Sequence, residues 1–412
     1  MKVYCNIIIL ISIGCSISCN PGKIKIGGAY RFGETDPNIL KVESKSDPFS
    51  EDLKTTMEDL PGHDDLIFDP IRGMGYASGM DGWIWELDRK TGKASRWIKL
   101  PVNPAGMQYS NRNKDKILVC ASRLGGESYA ETDRVGLYEA DIVSKTVTPL
   151  LLDLPDTKKE RFETVYPVSE RTFVPIDTLD SSNSRPFSLC NDLAVSKDGN
   201  RVYVTEPFER EDAAMGSGAV PEAIGLYPHG KLWVYDRAAK TVALVLDGFT
   251  FVDGILLEEG RDGIEESVIF TETTKFRIVK ATFAGKNAGK HEVLFENLPG
   301  LADGLERDTH GRIWTGIIKP RSGLVNFVHS NPWIKPLILS LPQKLLPIAK
   351  KTGVLVLDRE GKKALYYRMH DGSKIKDISV AVPNGEEIYF PTFDKNSRGL
   401  YSIPASSFFP EK

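Results

Sequence analysis

Lys231-Leu232-Trp233-Val234-Tyr235-Asp236 is followed by a four-residue turn, 237–240, and then by Thr241-Val242-Ala243-Leu244-Val245-Leu246. Both runs are rich in β-branched and aromatic residues, and the turn opens on an aspartate, so the stretch predicts a β-hairpin. The same unit recurs along the chain. Trp83–Asp88 turns through Lys90–Lys93 into Ser95–Leu100, and Gly136–Asp141 into Thr146–Leu152. Arg277–Thr282 turns through Gly285–Gly289 into Glu292–Phe295, and Gly353–Asp358 through Glu360-Gly361 into Ala364–Arg368. A further strand pair, joined by a turn with Asp or Asn and Gly, precedes each hairpin. Four-stranded units of this kind bury their faces only against one another, which is the logic of a propeller. The expected fold is therefore all-β: a six-bladed β-propeller with short helical insertions over one mouth. The last unit, Glu387–Ser402, should close the ring with a strand from the N-terminal side.

The expected organisation is a leader over 1–19, a linker and first edge segment over 20–60, and the propeller over 61–407. Two segments depart from the repeat, near 207–228 and 320–350. The second carries Trp333-Ile334-Lys335-Pro336-Leu337-Ile338-Leu339, which reads as a helix packed on the rim, with direct membrane contact as the alternative. At 412 residues with 41% hydrophobic and 26% charged content, the chain can bury a large core. A net charge of -3, with no basic run interleaved with aromatics, argues against a nucleic-acid partner.

In the first nineteen residues Lys2 is the single charge, followed by the apolar stretch Val3–Ile17, short for a membrane span and fitting a signal-peptide core. Ser16-Ile17-Ser18-Cys19 resembles a loose lipobox, so a lipoprotein, a plain signal peptide and a short signal anchor all stay open. The chain is accordingly expected to be exported: extracellular, periplasmic or held at a membrane by its N-terminus. Cys5, Cys15 and Cys19 fall in this leader and leave Cys120 and Cys190 to the mature domain. Two cysteines cannot make a disulfide framework, and both read as buried apolar thiols.

Short polar motifs occupy matching positions at the start of successive units: Gly62-His63-Asp64-Asp65, Cys190-Asn191-Asp192, Val252-Asp253-Gly254 and Ala302-Asp303-Gly304. Closing a ring would gather them at its axis. Carboxylate and amide oxygens converging there suit one hard divalent cation, calcium above others, held by Asp64, Asn191, Asp253 and Asp303. Without an ion, those carboxylates would repel one another. A single Asp-Gly pair could equally be a turn.

With these residues in view, the sequence resembles the strictosidine synthase-like propellers. The pattern is most similar to the adipocyte plasma membrane-associated protein group, and more distantly to paraoxonases and to gluconolactonases of the senescence marker protein group. The resemblance rests on Ser188–Gly199, Phe251–Ile255, Thr271–Ile278, Phe295–Leu305 and Ser330–Lys335, and runs from about Pro61 to Ile403. It implies a six-bladed propeller with an axial calcium or similar ion and, for many members, esterase or lactonase activity. On that resemblance Asn191 and Asp303 match the usual ligands, Asp64 stands where relatives usually have Glu, and Asp253 replaces a usual Asn. Asp192, and Asp65 in the equivalent place, would help hold a second, structural ion. Ala105 stands where paraoxonases place a catalytic histidine. The stretch Gly372–Ile378 lacks the glutamate that true strictosidine synthases use for condensation, which weakens a condensing reading. His370, near that stretch, could face the pocket or simply pack.

The chemistry these residues imply is metal-assisted hydrolysis of a small ester or lactone, with Asp303 as the base. No Gly-x-Ser-x-Gly elbow supports a serine hydrolase. The competing expectation is a non-catalytic, metal-stabilised propeller acting as a binding or scaffold protein. Either way a monomer is expected.

Overall fold

A computed structural model describes residues 24–69, 71–110, 115–157, 161–260 and 263–409. The leader and its lipobox-like cysteine lie outside the described residues. The strands form six antiparallel blades. The first is His63–Phe68, Met74–Gly79, Trp83–Asp88 and Lys93–Lys99, and the second is Asn103–Tyr109, Lys116–Ser122, Gly136–Asp141 and Val147–Leu151. Leu193–Val195, Arg201–Glu206, Gly230–Asp236 and Thr241–Phe249 make the third. The fourth is Val252–Glu259, Glu265–Glu272, Arg277–Thr282 and His291–Phe295, and the fifth is Gly300–Arg307, Ile313–Pro320, Thr352–Leu357 and Ala364–His370. The sixth joins Val382–Asn384, Glu387–Tyr389 and Arg398–Pro404 to Lys54–Pro61 from the N-terminal side. Lys54 opposes Ser402 and Thr56 opposes Leu400, so the ring is closed as the sequence predicts.

The hairpins form where the sequence places them because the turn chemistry is local. Asp88 Oδ1 accepts from the Lys90 and Thr91 amides, Asp141 Oδ1 from Val143 and Ser144, and Asp236 Oδ1 from Ala238 and Ala239. Between blades the inward faces interlock. Trp233 and Val204 of the third blade pack with Leu118, Cys120 and Leu137 of the second, and Tyr203 and Val234 pack with Phe270 and Val279 of the fourth. The residues before the first blade belong to this core: Phe49 is fully buried against Phe390, and Ile39 is fully buried in the fifth-blade cluster.

Two features differ from the sequence reading. A third excursion, between Leu151 and Leu193, runs over the outside of the third blade. There Thr164-Val165 and Val174-Pro175 pair with the outer strand Thr241–Phe249 and widen the sheet. Such two-residue pairings have too little periodicity to announce themselves.

The second difference concerns Cys120 and Cys190, which are joined in a disulfide with Cα atoms 5.1 Å apart, not held as free thiols. Ring closure sets the second strand of blade two against the entry to blade three, a proximity that a separation of 70 residues hides. Closing a loop of that length should stabilise the fold by about 4 kcal/mol through the unfolded chain. Calorimetry on the Cys120→Ala/Cys190→Ala double variant should show a melting temperature lower by about 5 °C. An unchanged value would mean the bridge adds nothing.

Both expected insertions lie on one mouth. The first, between Arg201–Glu206 and Gly230–Asp236, holds the helix Val220–Gly225. The second, between Ile313–Pro320 and Thr352–Leu357, holds Gly323–Ser330 and Lys335–Ser340. Pro320 opposes Gly300 at the start of blade five's inner strand, and the Asn191 amide donates to Thr205 O, so each insertion emerges at the end where the axial motifs sit. Among the described residues no helix is long and apolar enough to cross a membrane.

Candidate functional site

Every inner strand whose pairing spans the motif breaks register there. The shift falls between His63 and Leu66, between Pro104 and Met107, between Val252 and Ile255, and between Ala302 and Leu305. These are β-bulges, which re-aim side chains that a regular pleat would point into the sheet. They place Asp64-Asp65, Ala105-Gly106, Asp253-Gly254 and Asp303-Gly304 at the axis, with Asn191-Asp192 and Ser379-Val380 completing six equivalent pairs.

The glycines are therefore not turn residues. A Cβ on Gly254 would stand 2.3 Å from Asp303 O, and one on Gly106 2.7 Å from Asp192 Oδ1. They are glycine because adjacent inner strands pass too closely for a side chain.

Along the axis runs a cavity of about 430 Å³ lined by Asp64, Asp65, Asn191, Asp192, Asp253, Asp303 and Glu306 among others. Six of these are carboxylates, and among the described residues no Lys, Arg or His lines the cavity. At one end Asp64, Asn191, Asp253 and Asp303 come together. The Asn191 amide donates to Asp253 Oδ1, Thr273 Oγ1 donates to Asp253 Oδ2 at 3.1 Å, and the Asp253 and Asp303 carboxyls share a hydrogen bond. Thr271 Oγ1 holds Asp303 O at 3.1 Å, and Ser379 Oγ holds Asp64 O.

Asp65 and Asp192 do a different job. Asp65 accepts from the Leu66 amide at 2.7 Å and from Met107 of the next blade at 2.6 Å. Asp192 accepts from Leu193 at 2.8 Å and from Ile255 of the next blade at 3.0 Å. Each staples two inner strands together through both of its oxygens.

Electrostatics follow from burial without counter-charge. Burial, with the Asp253 and Asp65 carboxylates beside it, pushes Asp64 up to about 7. Asp303 lies well above the usual carboxylate range, by burial first and Asp253 next. Asp253 is raised by burial against the hydrogen bonds that favour its charged form. Burial raises Asp65 to about 6 and, with Asp65 adding repulsion, Glu306 to about 8.

His370 is not in the cavity. It ends Ala364–His370, the outermost strand of blade five, where it is fully buried against Phe49 with Nδ1 2.9 Å from Asp47 Oδ2. Its distance from the axis is set by its place in the blade. Ala105 is buried at its bulge, where no imidazole is offered. Glu306 and Ser379 were not singled out in the sequence. Glu306 follows Asp303 by three positions on a strand and carries no motif, and Ser379 sits at the one equivalent pair with neither Asp, Asn nor Gly.

The donor set suits a divalent cation: three carboxylates and an amide oxygen, buried, with no protein cation among them. Among the described residues no three acidic, His or Cys side chains already stand in ligating geometry. The carboxyls and the amide are instead turned onto one another, and a cation would replace those mutual bonds.

The model of the SMP-30/Gluconolactonase/LRE-like region matches residues 80–329. The chain belongs to that family. The match takes in Asn191, Asp253 and Asp303, while Asp64 lies before it. Adipocyte plasma membrane-associated protein of Salmo salar is 30% identical over 216 residues, 51% of this chain and 50% of that protein. Strictosidine synthase-like 10 of Arabidopsis thaliana is 28% identical over 161 residues, 39% of this chain and 41% of that protein. The chain thus spans about half the length of the curated relatives it matches or less. The solved luciferin-regenerating enzyme superposes with a TM-score of 0.52 over 86% of this chain and 96% of that chain at 12% identity, which bears on the fold alone.

Proposed function

We propose that this gluconolactonase-family propeller is an exported hydrolase of small esters or lactones that works with one divalent cation, calcium by preference, at its axis. The observation that carries the reading is the axial cavity lined by six carboxylates with no basic side chain. Its volume of about 430 Å³ is in the range of small-molecule sites. Asp64, Asn191, Asp253 and Asp303 would hold the ion. Bound there, a cation would polarise the acyl carbonyl and stabilise the charge that develops on its oxygen.

The protein's own residues supply the proton handling. Asp303, hydrogen-bonded to Asp253 and raised by burial, takes a proton from the attacking water as the water oxygen bonds to the acyl carbon. It returns that proton to the leaving alkoxide as the ester bond breaks. Thr271, on the second strand of blade four, and Thr273, just past its end, keep Asp303 and Asp253 in place.

The export reading is supported by the apolar leader and by the Cys120–Cys190 bridge, since disulfides persist in oxidising compartments. Attachment to a membrane is in keeping with the name of the Salmo salar relative.

Purified protein assayed on p-nitrophenyl acetate and δ-valerolactone should turn over in calcium, stop on chelation and recover on calcium addition. No turnover under any condition, together with a calcium-dependent rise in melting temperature, would favour the non-catalytic scaffold instead.

A further inference from the structure

Residues 309–357 contain no Asp or Glu but seven Lys and Arg: Arg312, Lys319, Arg321, Lys335, Lys344, Lys350 and Lys351. The chain as a whole is net acidic at -3, so this is a local reversal of charge. Its middle is the insertion over the axial mouth, and that insertion is packed inside out. Lys335 is fully buried, its Nζ donating to Gly225 O at 2.9 Å, while Trp333 is 73% exposed and Leu337 60% exposed on either side of it.

The same inversion runs through the whole segment. The helix Gly323–Ser330 buries Val328 and His329 and turns Leu324 and Phe327 outward. Beyond Ser340, Leu345 and Ile348 are 63% and 57% exposed. Exposed large apolar residues scattered singly are ordinary, but a run of them on one face of one insertion marks an interaction surface. Burying the lysine while leaving the tryptophan and leucines in water is not a surface selected for water alone.

The position of the N-terminal chain says what covers it. Gly27 N donates to Gly225 O at 3.0 Å, the carbonyl that also receives Lys335, and Tyr30 N donates to His329 O at 2.8 Å. The described chain therefore starts against both insertions. The described chain thus begins at the same mouth as the exposed Trp333 and Leu337.

We infer that this face docks on the surface of an anionic lipid bilayer. Trp333, Leu337 and their neighbours would sit at the headgroup–acyl boundary, with Lys350 and Lys351 over the headgroups. The ring mouth that carries the axial motifs then faces the bilayer. Apolar area supplies the insertion, the exposed Lys350 and Lys351 supply attraction to the lipid, and a tryptophan at the boundary is favoured there.

Vesicle cosedimentation of the full chain tests this docking apart from any chemistry at the axis. Wild type should bind phosphatidylcholine vesicles containing phosphatidylserine at least tenfold better than Trp333→Ser/Leu337→Ser, with the difference reduced in pure phosphatidylcholine. Both side chains are exposed, so equal melting temperatures should confirm that the variant folds. A second readout needs no loss of binding: brominated acyl chains should quench wild-type tryptophan emission, and Trp333→Phe should remove that quenching while the protein still binds. Equal vesicle binding by wild type and the double variant without quenching would place attachment in the leader alone and overturn the inference. So would a concentration-dependent dimer abolished by the substitutions in a protein that ignores vesicles.

Discussion

Asp303→Asn should lower ester or lactone turnover by about 10²- to 10⁴-fold, the usual span for losing a general acid–base group, and should leave the propeller folded. Asparagine keeps the size of the side chain and one oxygen for a cation, but it cannot accept the proton of an attacking water. Asp303 hangs from Thr271 through its backbone carbonyl, which the substitution does not touch. The hydrogen-bonded neighbour gives the contrast. Asp253→Asn retains an oxygen at the axis, keeps the Thr273 hydroxyl within reach and removes the repulsion that raises Asp303. It should hold activity within about tenfold, a difference of only about 1.4 kcal/mol. The two substitutions have the same chemistry on adjacent carboxylates, so steady-state kinetics with melting curves in calcium separates a base from a ligand. Full turnover by Asp303→Asn, or equal losses in both variants, would remove Asp303 from the base role.

How much of this was legible in the sequence depends on how local the cause is. The hairpins were, because Asp88, Asp141 and Asp236 cap their own turns within three residues. The axial ring was legible for another reason. One short polar motif recurs at one place in the repeat, and closure of the ring does the rest. The device that aims the motif was hidden: a register shift in the pairing of Val252–Glu259 or Gly300–Arg307 shows only against the partner strand.

Non-local pairings stayed hidden as well. Cys120 meets Cys190, and His370 meets Asp47, only once distant segments have packed. The division of labour at the axis was likewise out of reach. Asp64 and Asp65 are adjacent in sequence. Asp64 faces the other carboxylates, and Asp65 spends its oxygens on the Leu66 and Met107 amides.

The second large effect is on stability and has a definite sign with pH. Without a cation, the folded protein holds protons at the axis that the unfolded chain has released. Asp64 is raised to about 7, Asp65 to about 6 and Glu306 to about 8, against ordinary carboxylate values near 4. A group whose folded value is raised contributes stability that is fully present below its unfolded value and lost as pH climbs through its folded value. The chelated protein should therefore weaken steadily between pH 5 and pH 8. Between pH 5 and pH 8 Asp64 alone accounts for roughly 2–3 kcal/mol at 1.36 kcal/mol per unit, or about 3 °C in melting temperature for a chain of this size. A divalent cation supplies at pH 8 the counter-charge that protons supply at pH 5. Calcium should raise the melting temperature by several degrees at pH 8 and by little at pH 5, where protons compete for the same oxygens. Asp64→Asn should reduce the pH dependence and weaken the calcium response together, because the Asp64 carboxylate contributes to both, while Asp65 and Glu306 keep the remainder. A melting temperature in chelator that rises between pH 5 and pH 8 would mean that the axial carboxylates are already compensated, and the need for an ion there would disappear.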